Sequence, residues 1–453
     1  MTLATTIIPL NNGTKICAPA DIQLMSNFVL REQGDWFEDE IHFVRQYIEE
    51  GMMTLDIGAN YGLYATAIAS NLGKTGKLWC FEPTPDTASA LRETMATNSF
   101  DAEISVIEAG LSDHAGQATF YTSPNAELNS LTASADAEGE QQTIDLLTLD
   151  QCYQQYQWPR LDFIKLDAEG EELKILKAAS ATLSECSPLI MFELKHTNQV
   201  NLPLINAFHD MGYESFTLIP GLNILAPFDE QSPLDGYQLN LFCCKADLAA
   251  KLEERGLLTR QTQARKTSAA IDVSAYLKSL PALAKLDLVE TDNTAYGNAL
   301  EAYVASQDSS LSADDRHAFL CHAFELAETA MNQNETRIER LSSYSRIAFD
   351  LGKRDFGLRI LGFTIDNYFR TGRSFEVREQ FLPANARFEK LDPGTNPRAW
   401  FAAAMLDQYV IKHAFSSYFT AGTALPFLGQ LRSLGYLLPD MDQREKLIKE
   451  RLG

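Results

Sequence analysis

The chain has 453 residues, with 38 Lys and Arg against 61 Asp and Glu, and therefore a formal net charge of −23 at pH 7. The acidic excess lies in residues 1–248, which hold 12 basic and 35 acidic side chains, whereas residues 249–453 hold 26 of each. An acidic surface repels phosphate backbones and anionic lipid, so this charge disfavours a nucleic-acid substrate or adsorption to a membrane. A chain of this length is expected to fold as two or three domains.

The cysteines and the hydropathy pattern predict a cytoplasmic protein. The seven cysteines are scattered, none forms a C-x-x-C pair, and several lie in apolar runs. That usage is typical of buried thiols in a reducing compartment and offers no zinc-site spacing. No run approaches the roughly 18 apolar residues of a membrane span, and the N-terminus lacks a basic region followed by a long apolar run. We therefore expect neither a membrane span nor a signal peptide.

Residues 1–50 are predicted to form an N-terminal extension that caps the following domain. Residues 36–41 lead into a helix that carries Phe43, Val44 and Tyr47 on one face. Two interpretations are open. The segment packs on the edge of a sheet, or its aromatic side chains help to close a cofactor pocket.

Residues 54–64 hold the most informative pattern of the chain. An apolar run with Asp56 near its end predicts a buried strand, Gly58 and Gly62 follow it, and a helix of small residues begins at Tyr64. A strand, a tight turn and a helix N-terminus let a backbone approach a nucleotide-like ligand. A dinucleotide site would instead place G-x-G-x-x-G after the strand. Here a carboxylate precedes the first glycine, where it would repel a pyrophosphate and attract the ammonium group of S-adenosylmethionine.

Six further apolar runs predict strands that alternate with helical patterns, at residues 77–81, 103–107, 161–166, 188–192, 214–219 and 239–244. Together they predict an α/β fold over residues 51–248, with a mostly parallel seven-stranded sheet and helices on both faces. Such sheets bind ligands beyond the carboxyl ends of their strands, and Asp56, Glu82, Asp167 and Glu193 stand at four such ends. The polar stretch 122–142 is either a substrate lid or a surface loop.

Beyond residue 248 the strand pattern stops, and amphipathic helical patterns predict an all-α domain over residues 249–453. The stretches 338–351 and 355–369 resemble one helix pair of a tetratricopeptide-type array, but the pattern does not repeat at 34 residues. The aromatic side chains of this domain belong either to its core or to a groove. We expect the domain to bind a protein partner, to dock the acceptor or to self-associate.

In its motifs the chain resembles the FkbM family of S-adenosylmethionine-dependent methyltransferases, over roughly residues 35–247. The matching segments are Asp56–Tyr64, Phe81–Pro83, Leu111–Asp113 with Gly116, Asp162–Gly170 with Glu172, and Pro188–Glu193. The resemblance implies a class I methyltransferase fold and O-methylation of a hydroxyl, often on a sugar or a natural product. It implies nothing about the helical domain.

Six residues are predicted to bind the cofactor: Asp56, Gly58, Asn60, Gly62, Glu82 and Glu108. Glu82 ends the strand that follows the first helix, the position from which a carboxylate reaches both ribose hydroxyls. Glu108, at the end of the third strand, is expected near adenine, although family members often have Asn there.

The predicted catalytic residues are Asp167, Glu193, His196 and Lys165. An alcohol is a weak nucleophile and benefits from a general base, for which the first three are candidates. Lys165 has the same strand parity as Asp167 and is expected to hold it by an ion pair. Simpler roles are open too, because Asp167 could contact the cofactor or cap a helix, Glu193 could be a structural acceptor and His196 a solvated loop residue. The three could share a divalent metal, but they lack a tight Asp-Asn pair, so no metal site is predicted.

The leading hypothesis is an O-methyltransferase that acts on a surface glycan or its precursor. A methyltransferase for a peptide or small natural product is a second hypothesis. The third is a scaffold protein with a degenerate methyltransferase domain, against which the retained Asp56, Gly58, Glu82 and Asp167 argue.

Overall fold

The computed structural model describes residues 4–121, 141–196, 199–261, 271–332 and 337–453. The stretch 122–142, predicted as a lid or loop, lies outside the described residues except for its last two. The chain divides into two compact units. The first comprises Met1–Leu218 and Leu239–Arg255, and the second comprises Ile219–Gln238 and Gly256–Gly453.

The strands, in chain order, are β1 (Thr5–Pro9), β2 (Lys15–Pro19), β3 (Met53–Ile57), β4 (Lys77–Phe81), β5 (Glu103–Ile107), β6 (Gly110–Leu111), β7 (Gly116–Tyr121), β8 (Gln141–Leu147), β9 (Phe163–Leu166), β10 (Leu189–Glu193), β11 (Lys195–His196), β12 (Gln199–Val200), β13 (Tyr213–Ile219), β14 (Ile224–Pro227) and β15 (Asn240–Lys245).

The α-helices are α1 (Met25–Gln33), α2 (Glu40–Tyr47), α3 (Leu63–Ala69), α4 (Pro85–Thr97), α5 (Leu149–Tyr156), α6 (Glu172–Lys177), α7 (Ser180–Glu185), α8 (Leu202–Asp210), α9 (Ala246–Glu254), α10 (Val273–Ser279), α11 (Thr294–Ser306), α12 (Ala313–Asn332), α13 (Ile338–Asp350), α14 (Arg354–Thr364), α15 (Pro397–Lys412), α16 (Leu425–Leu434) and α17 (Pro439–Leu452).

The first unit contributes seven strands to the central sheet, in the order β13-β15-β10-β9-β3-β4-β5. The five strands from β10 to β5 run parallel, and β15 runs antiparallel to both β10 and β13. Every residue of β9 is buried, as expected for a parallel strand that is covered on both faces. The predicted mostly parallel α/β sheet with helices is therefore confirmed.

The N-terminal extension packs within the first unit. β1 and β2 form a hairpin, and α1 packs on it. The apolar face predicted for α2 is buried: the ring of Phe43 meets Phe242 at 5.0 Å between centroids, and the Tyr47 hydroxyl donates to the Asp162 carbonyl at 2.9 Å. α2 is thereby held against the central sheet.

Helices dominate the second unit. α13 and α14 occupy the stretches predicted as a helix pair, and α14 continues into a π-helical turn, Ile365–Phe369. The rings of Phe324, Tyr344 and Phe356 contact one another at 5.0–5.3 Å between centroids, as rings in a helical core do. Among the described residues, no helix is long and apolar enough to cross a membrane.

Candidate active site

A cavity of about 250 Å³ lies at the carboxyl edge of the central sheet. The register of the sheet places Ile57 opposite both Phe81 and Leu166 on the neighbouring strands. The residues that follow these three, Gly58, Glu82 and Asp167, therefore meet at one edge, and all three line the cavity. This is the location that strand-end carboxylates predicted.

The turn after β3 requires glycine at its first position. Gly58 has a φ of 77°, and a Cβ atom there would come within 1.7 Å of the Asp167 carbonyl oxygen. The amides of Gly58 and Ala59 both donate to the Phe81 carbonyl at 3.0 Å, which closes the turn against β4. Asn60 tolerates a φ of 48°, and its side-chain oxygen accepts from the Tyr61 amide at 2.8 Å. The result is bare backbone at the cavity wall.

Gly62 has a different task. It caps α3 with a φ of 93°, and a Cβ atom there would meet Leu91 Cδ1 at 2.6 Å and Met95 Cε at 3.0 Å. Gly62 thus allows α3 to approach α4 closely, and it is not among the described residues that line the cavity. Glycine is needed at this position because of helix packing, and Gly62 therefore supports the turn after β3 without contacting the cavity.

Glu82 is held rigidly at the end of β4. Its Oε2 accepts from the Asn60 amide at 3.1 Å, and its Oε1 accepts from the Thr84 amide at 2.9 Å. Burial raises the pKa of Glu82 to about 7, against the opposing effect of these hydrogen bonds. The Thr84 hydroxyl is a third hydrogen-bonding partner, and a carboxylate with about four lone-pair sites can still accept from a ligand hydroxyl.

Asp56 lies beneath the cavity and does not line it. Within the described part of the chain, neither of its oxygens accepts a hydrogen bond of normal geometry. Burial raises its pKa to about 6, and the nearby Lys165 ammonium opposes that effect. Its Cα stands directly opposite that of Lys165 across β3 and β9. Its negative charge therefore raises the pKa of Lys165 and helps to keep that side chain protonated.

Lys165 and Asp167 form the ion pair expected from strand parity. The Lys165 Nζ lies 2.8 Å from Asp167 Oδ2 and 3.4 Å from the Gly58 carbonyl oxygen, to which it also donates. It stands 5.2 Å from the centre of the Tyr64 ring. Burial lowers the pKa of Lys165, but the charges of Asp167 and Asp56 outweigh burial and raise it overall. Lys165 therefore stays protonated and orients a carboxylate that is one-third exposed to the cavity.

Glu193 faces the same cavity from the end of β10. Burial raises its pKa strongly, and the neighbouring charges of Asp167, Glu169 and Glu172 raise it further. The ionised form of Glu193 is thus short of a positive partner, and a cation brought by a ligand would stabilise it.

Glu38 is a site residue that the sequence did not identify. It reaches the cavity from the segment between α1 and α2, where its Oε2 accepts from the Tyr64 hydroxyl at 2.5 Å and from the Asn240 amide at 3.0 Å. Its Oε1 accepts from the Trp36 indole at 3.1 Å. The local signal is an acid that follows two aromatic residues ahead of a helix, and its partners lie 26 and 202 residues away.

The described structure does not place two of the predicted site residues in this cluster. Glu108 pairs with Arg92 at 3.0 Å, with 40% of its side chain exposed, and it is not among the described residues that line the cavity. Its neighbour Ala109 does line it. The backbone of His196 lies in β11, but its side chain is outside the described residues. No group of three or more metal-ligating side chains occurs in the described part of the chain.

Part of the chain is similar to known methyltransferases in sequence. A family model of the methyltransferase FkbM domain matches residues 56–215. Hexuronic acid methyltransferase AglP of Haloferax volcanii is 30% identical over 156 residues, which are 34% of this chain and 61% of the relative. The matched part of the chain thus spans less than two thirds of that relative.

Two solved structures are similar at low identity. A methyltransferase FkbM from Methylobacillus flagellatus is 19% identical, with 43% of each chain covered and a TM-score of 0.30. An S-adenosylmethionine-dependent O-methyltransferase from Thermotoga maritima is 13% identical over 53% of this chain and 77% of that one, with a TM-score of 0.29. From the family match and the motifs together, residues 56–215 are similar to an FkbM methyltransferase domain.

Proposed function

We propose that the protein is an S-adenosylmethionine-dependent O-methyltransferase that acts on a sugar hydroxyl of a glycan or a glycan precursor. The observation that carries the proposal is the meeting of Gly58, Glu82 and the Lys165–Asp167 pair in one cavity of the FkbM domain. The name of the relative, a hexuronic acid methyltransferase, supports a sugar acceptor.

The cavity fits the cofactor on three counts. The bare backbone at Gly58 leaves room that any side chain would fill. Glu82 offers two buried oxygens to the ribose hydroxyls. Leu111, Phe120 and Ile144 supply an apolar wall on which a flat base can pack. When bound there, S-adenosylmethionine supplies an electrophilic methyl group on a sulfonium centre.

Asp167 is the general base of this proposal. Its carboxylate faces the cavity and is oriented by Lys165, so it can accept the proton of the acceptor hydroxyl. Glu193 contacts the acceptor from the end of β10. Lys165, whose Nζ lies 5.2 Å from the centre of the Tyr64 ring, holds the base in place.

Calorimetric titration with S-adenosylmethionine tests the proposal first. Glu82→Gln should weaken binding about 10- to 150-fold, the usual effect of losing a hydrogen bond to a charged group. Glu103→Gln is the matched control, since its side chain is 64% exposed at the start of β5. Equal affinity in all three proteins, or no binding to the wild type, would refute the cofactor assignment. Mass spectrometry of candidate glycans incubated with the protein then identifies the methylated product.

A further inference from the structure

The cavity carries far more negative than positive groups. Among the described lining residues there are six carboxyl groups, on Glu38, Glu82, Asp167, Glu169, Glu171 and Glu193, and a single ammonium group, on Lys165. Unlike charges close together in a partly buried site interact strongly, and like charges repel as strongly. The composition of this wall therefore bears on which acceptor can enter.

Three of these carboxyl groups already have partners in the protein that offset their negative charge. Asp167 forms an ion pair with Lys165, Glu171 forms one with Lys174 at 2.7 Å, and Glu82 accepts hydrogen bonds from two backbone amides. Glu38 accepts three hydrogen bonds from neutral donors. Within the described residues neither Glu38 nor Glu193 forms an ion pair. Glu38 and Glu193 are therefore two carboxyl groups of the cavity wall to which a ligand can supply the cation.

Both side chains reach the cavity from segments other than the turn that follows β3. Glu193 ends β10, two strands beyond β3 in the sheet, and Glu38 follows Trp36 and Phe37, whose ring centroids are 4.5 Å apart. All four line the cavity. Aromatic faces beside carboxyl groups suit a ligand that has an apolar ring face and a polar or cationic edge.

We propose that the acceptor carries a protonated amino group beside the methylated hydroxyl, as an amino sugar does, and that Glu38 and Glu193 recognise that group. This inference rests on the proposed function, because it assigns an acceptor class to the same cavity. A hexuronate would bring a further carboxylate into a wall that already has surplus negative charge, and its burial there would be costly. The chain therefore differs in acceptor charge from the relative named for hexuronic acid.

Binding to the protein loaded with S-adenosylhomocysteine tests the acceptor class without turnover. The probes are the methyl glycosides of glucosamine, glucose and glucuronic acid, titrated by calorimetry at pH 7. We expect the amine to bind at least about tenfold more tightly than the neutral sugar, and the acid to bind most weakly. Glu38→Gln and Glu193→Gln should each remove most of that preference, whereas Glu103→Gln should keep it.

The controls separate this inference from the function on which it rests. Both variants should bind S-adenosylhomocysteine within about threefold of wild type, because neither side chain belongs to the cofactor turn. Loss of that binding in the wild type would refute the proposed function. With cofactor binding intact, a glucuronide that binds as tightly as the amine overturns the acceptor class. So does an amine that fails to bind, or a preference that survives in both variants.

Discussion

At Gly58 two strand ends come so close that no side chain fits between them. A Cβ atom would lie 1.7 Å from the Asp167 carbonyl oxygen, and the residue also has a positive φ. Gly58→Ala should therefore lower the free energy of unfolding by about 2–5 kcal/mol and weaken cofactor binding, because it adds both overpacking and backbone strain. Urea unfolding and calorimetry measure both effects.

Gly212→Ala is the control for strain alone. Gly212 has a φ of 83° and nothing within 4 Å of its added Cβ atom, so only about 1 kcal/mol should be lost and cofactor affinity kept. Equal losses in the two variants would show that the contact with Asp167 does not matter.

Glu82 should make cofactor affinity depend on pH. Its pKa is raised to about 7 by burial, from an ordinary value of 4.5. The ionised form accepts hydrogen bonds from hydroxyls better, so affinity for S-adenosylmethionine should rise as pH increases from 6 to 8. Because the folded-state pKa is raised, the same group favours folding below about pH 4.5 and loses that contribution as pH rises through 7.

The comparison with Glu82→Gln isolates this titration. Calorimetry gives the binding free energy as a function of pH for both proteins. Subtracting the values of the variant from those of the wild type cancels the ligand's own titration and the contribution of Asp56, whose pKa is about 6. A difference that stays constant from pH 6 to 8 would contradict the assignment.

Asp167→Asn tests the general base. The amide keeps the shape and the hydrogen bonding of the side chain but cannot take a proton, so turnover should fall about 10²- to 10⁴-fold. Cofactor affinity should stay within a few fold. Glu193→Gln should instead raise the KM for the acceptor, since Glu193 lines the cavity and the amide cannot carry its charge. Full activity in Asp167→Asn, with activity lost only in His196→Ala, would transfer the role of base to the histidine.

The residues of the site were predictable only where strand periodicity places them. Lys165 and Asp167 share a parity, and their ion pair follows from that spacing. Glu38 could not be found in this way, because its hydrogen bonds to Tyr64 and Asn240 join segments far apart in the chain. The environment of Asp56, which is fully buried, is likewise a product of packing.

Among the elements, the segment between α1 and α2 is tied to α2 by an ion pair. Arg45 in α2 donates to both carboxylate oxygens of Asp35 at 2.6 and 2.8 Å, and Asp35 also accepts from the Trp36 amide at 2.9 Å. Arg45→Met should lower the free energy of unfolding by about 1–3 kcal/mol and weaken binding of the methyl glucosaminide, with cofactor affinity unchanged. Denaturant unfolding and calorimetry give both quantities.

Lys77→Met provides the matched comparison. Its partner Glu103 is far more exposed, so breaking that pair should change stability by less than about 0.5 kcal/mol. If the two variants lose equal stability, or if acceptor binding survives in Arg45→Met, the segment is not held by Asp35.

Strand positions follow from apolar runs, but strand ends depend on contacts. The run 103–107 is a strand over its whole length, whereas the run 161–166 forms one only from Phe163. Asp162 lies outside the strand and hydrogen-bonds to distant segments instead. Its carboxylate accepts from the Met53 amide at 2.8 Å, and its carbonyl accepts from the Tyr47 hydroxyl. Such contacts with distant segments have no periodic signal.

At the scale of the molecule, the two units are interleaved along the chain. Residues 219–238 belong to the second unit, where the Gly221 amide donates to the Asp350 carbonyl at 2.8 Å and the Gly236 amide to the Asp355 carboxylate at 2.6 Å. A boundary at residue 248 follows from where the strand pattern stops. A linear pattern carries no signal for partners more than 100 residues away.

This division predicts how the first unit can be isolated. β13 and β15 are antiparallel with Phe216 opposite Phe242, so Leu218 stands opposite Asn240. Replacing 219–238 by Asn-Gly therefore leaves a three-residue hairpin connection of a common kind. Residues 1–255 with this replacement should be monomeric and bind S-adenosylmethionine within about threefold of the full chain, because every described lining residue of the cavity lies in the first unit.

The unmodified fragment 1–255 is the control for the replacement. It keeps Leu222, Ile224 and Leu225, which are buried in the full chain, but lacks their companions in the second unit. Exposure of these side chains should make it aggregate, as size-exclusion chromatography would detect. If the hairpin variant folds by circular dichroism but binds no cofactor, while the full chain does, the second unit completes the site. If both fragments behave alike, residues 219–238 fold without the second unit.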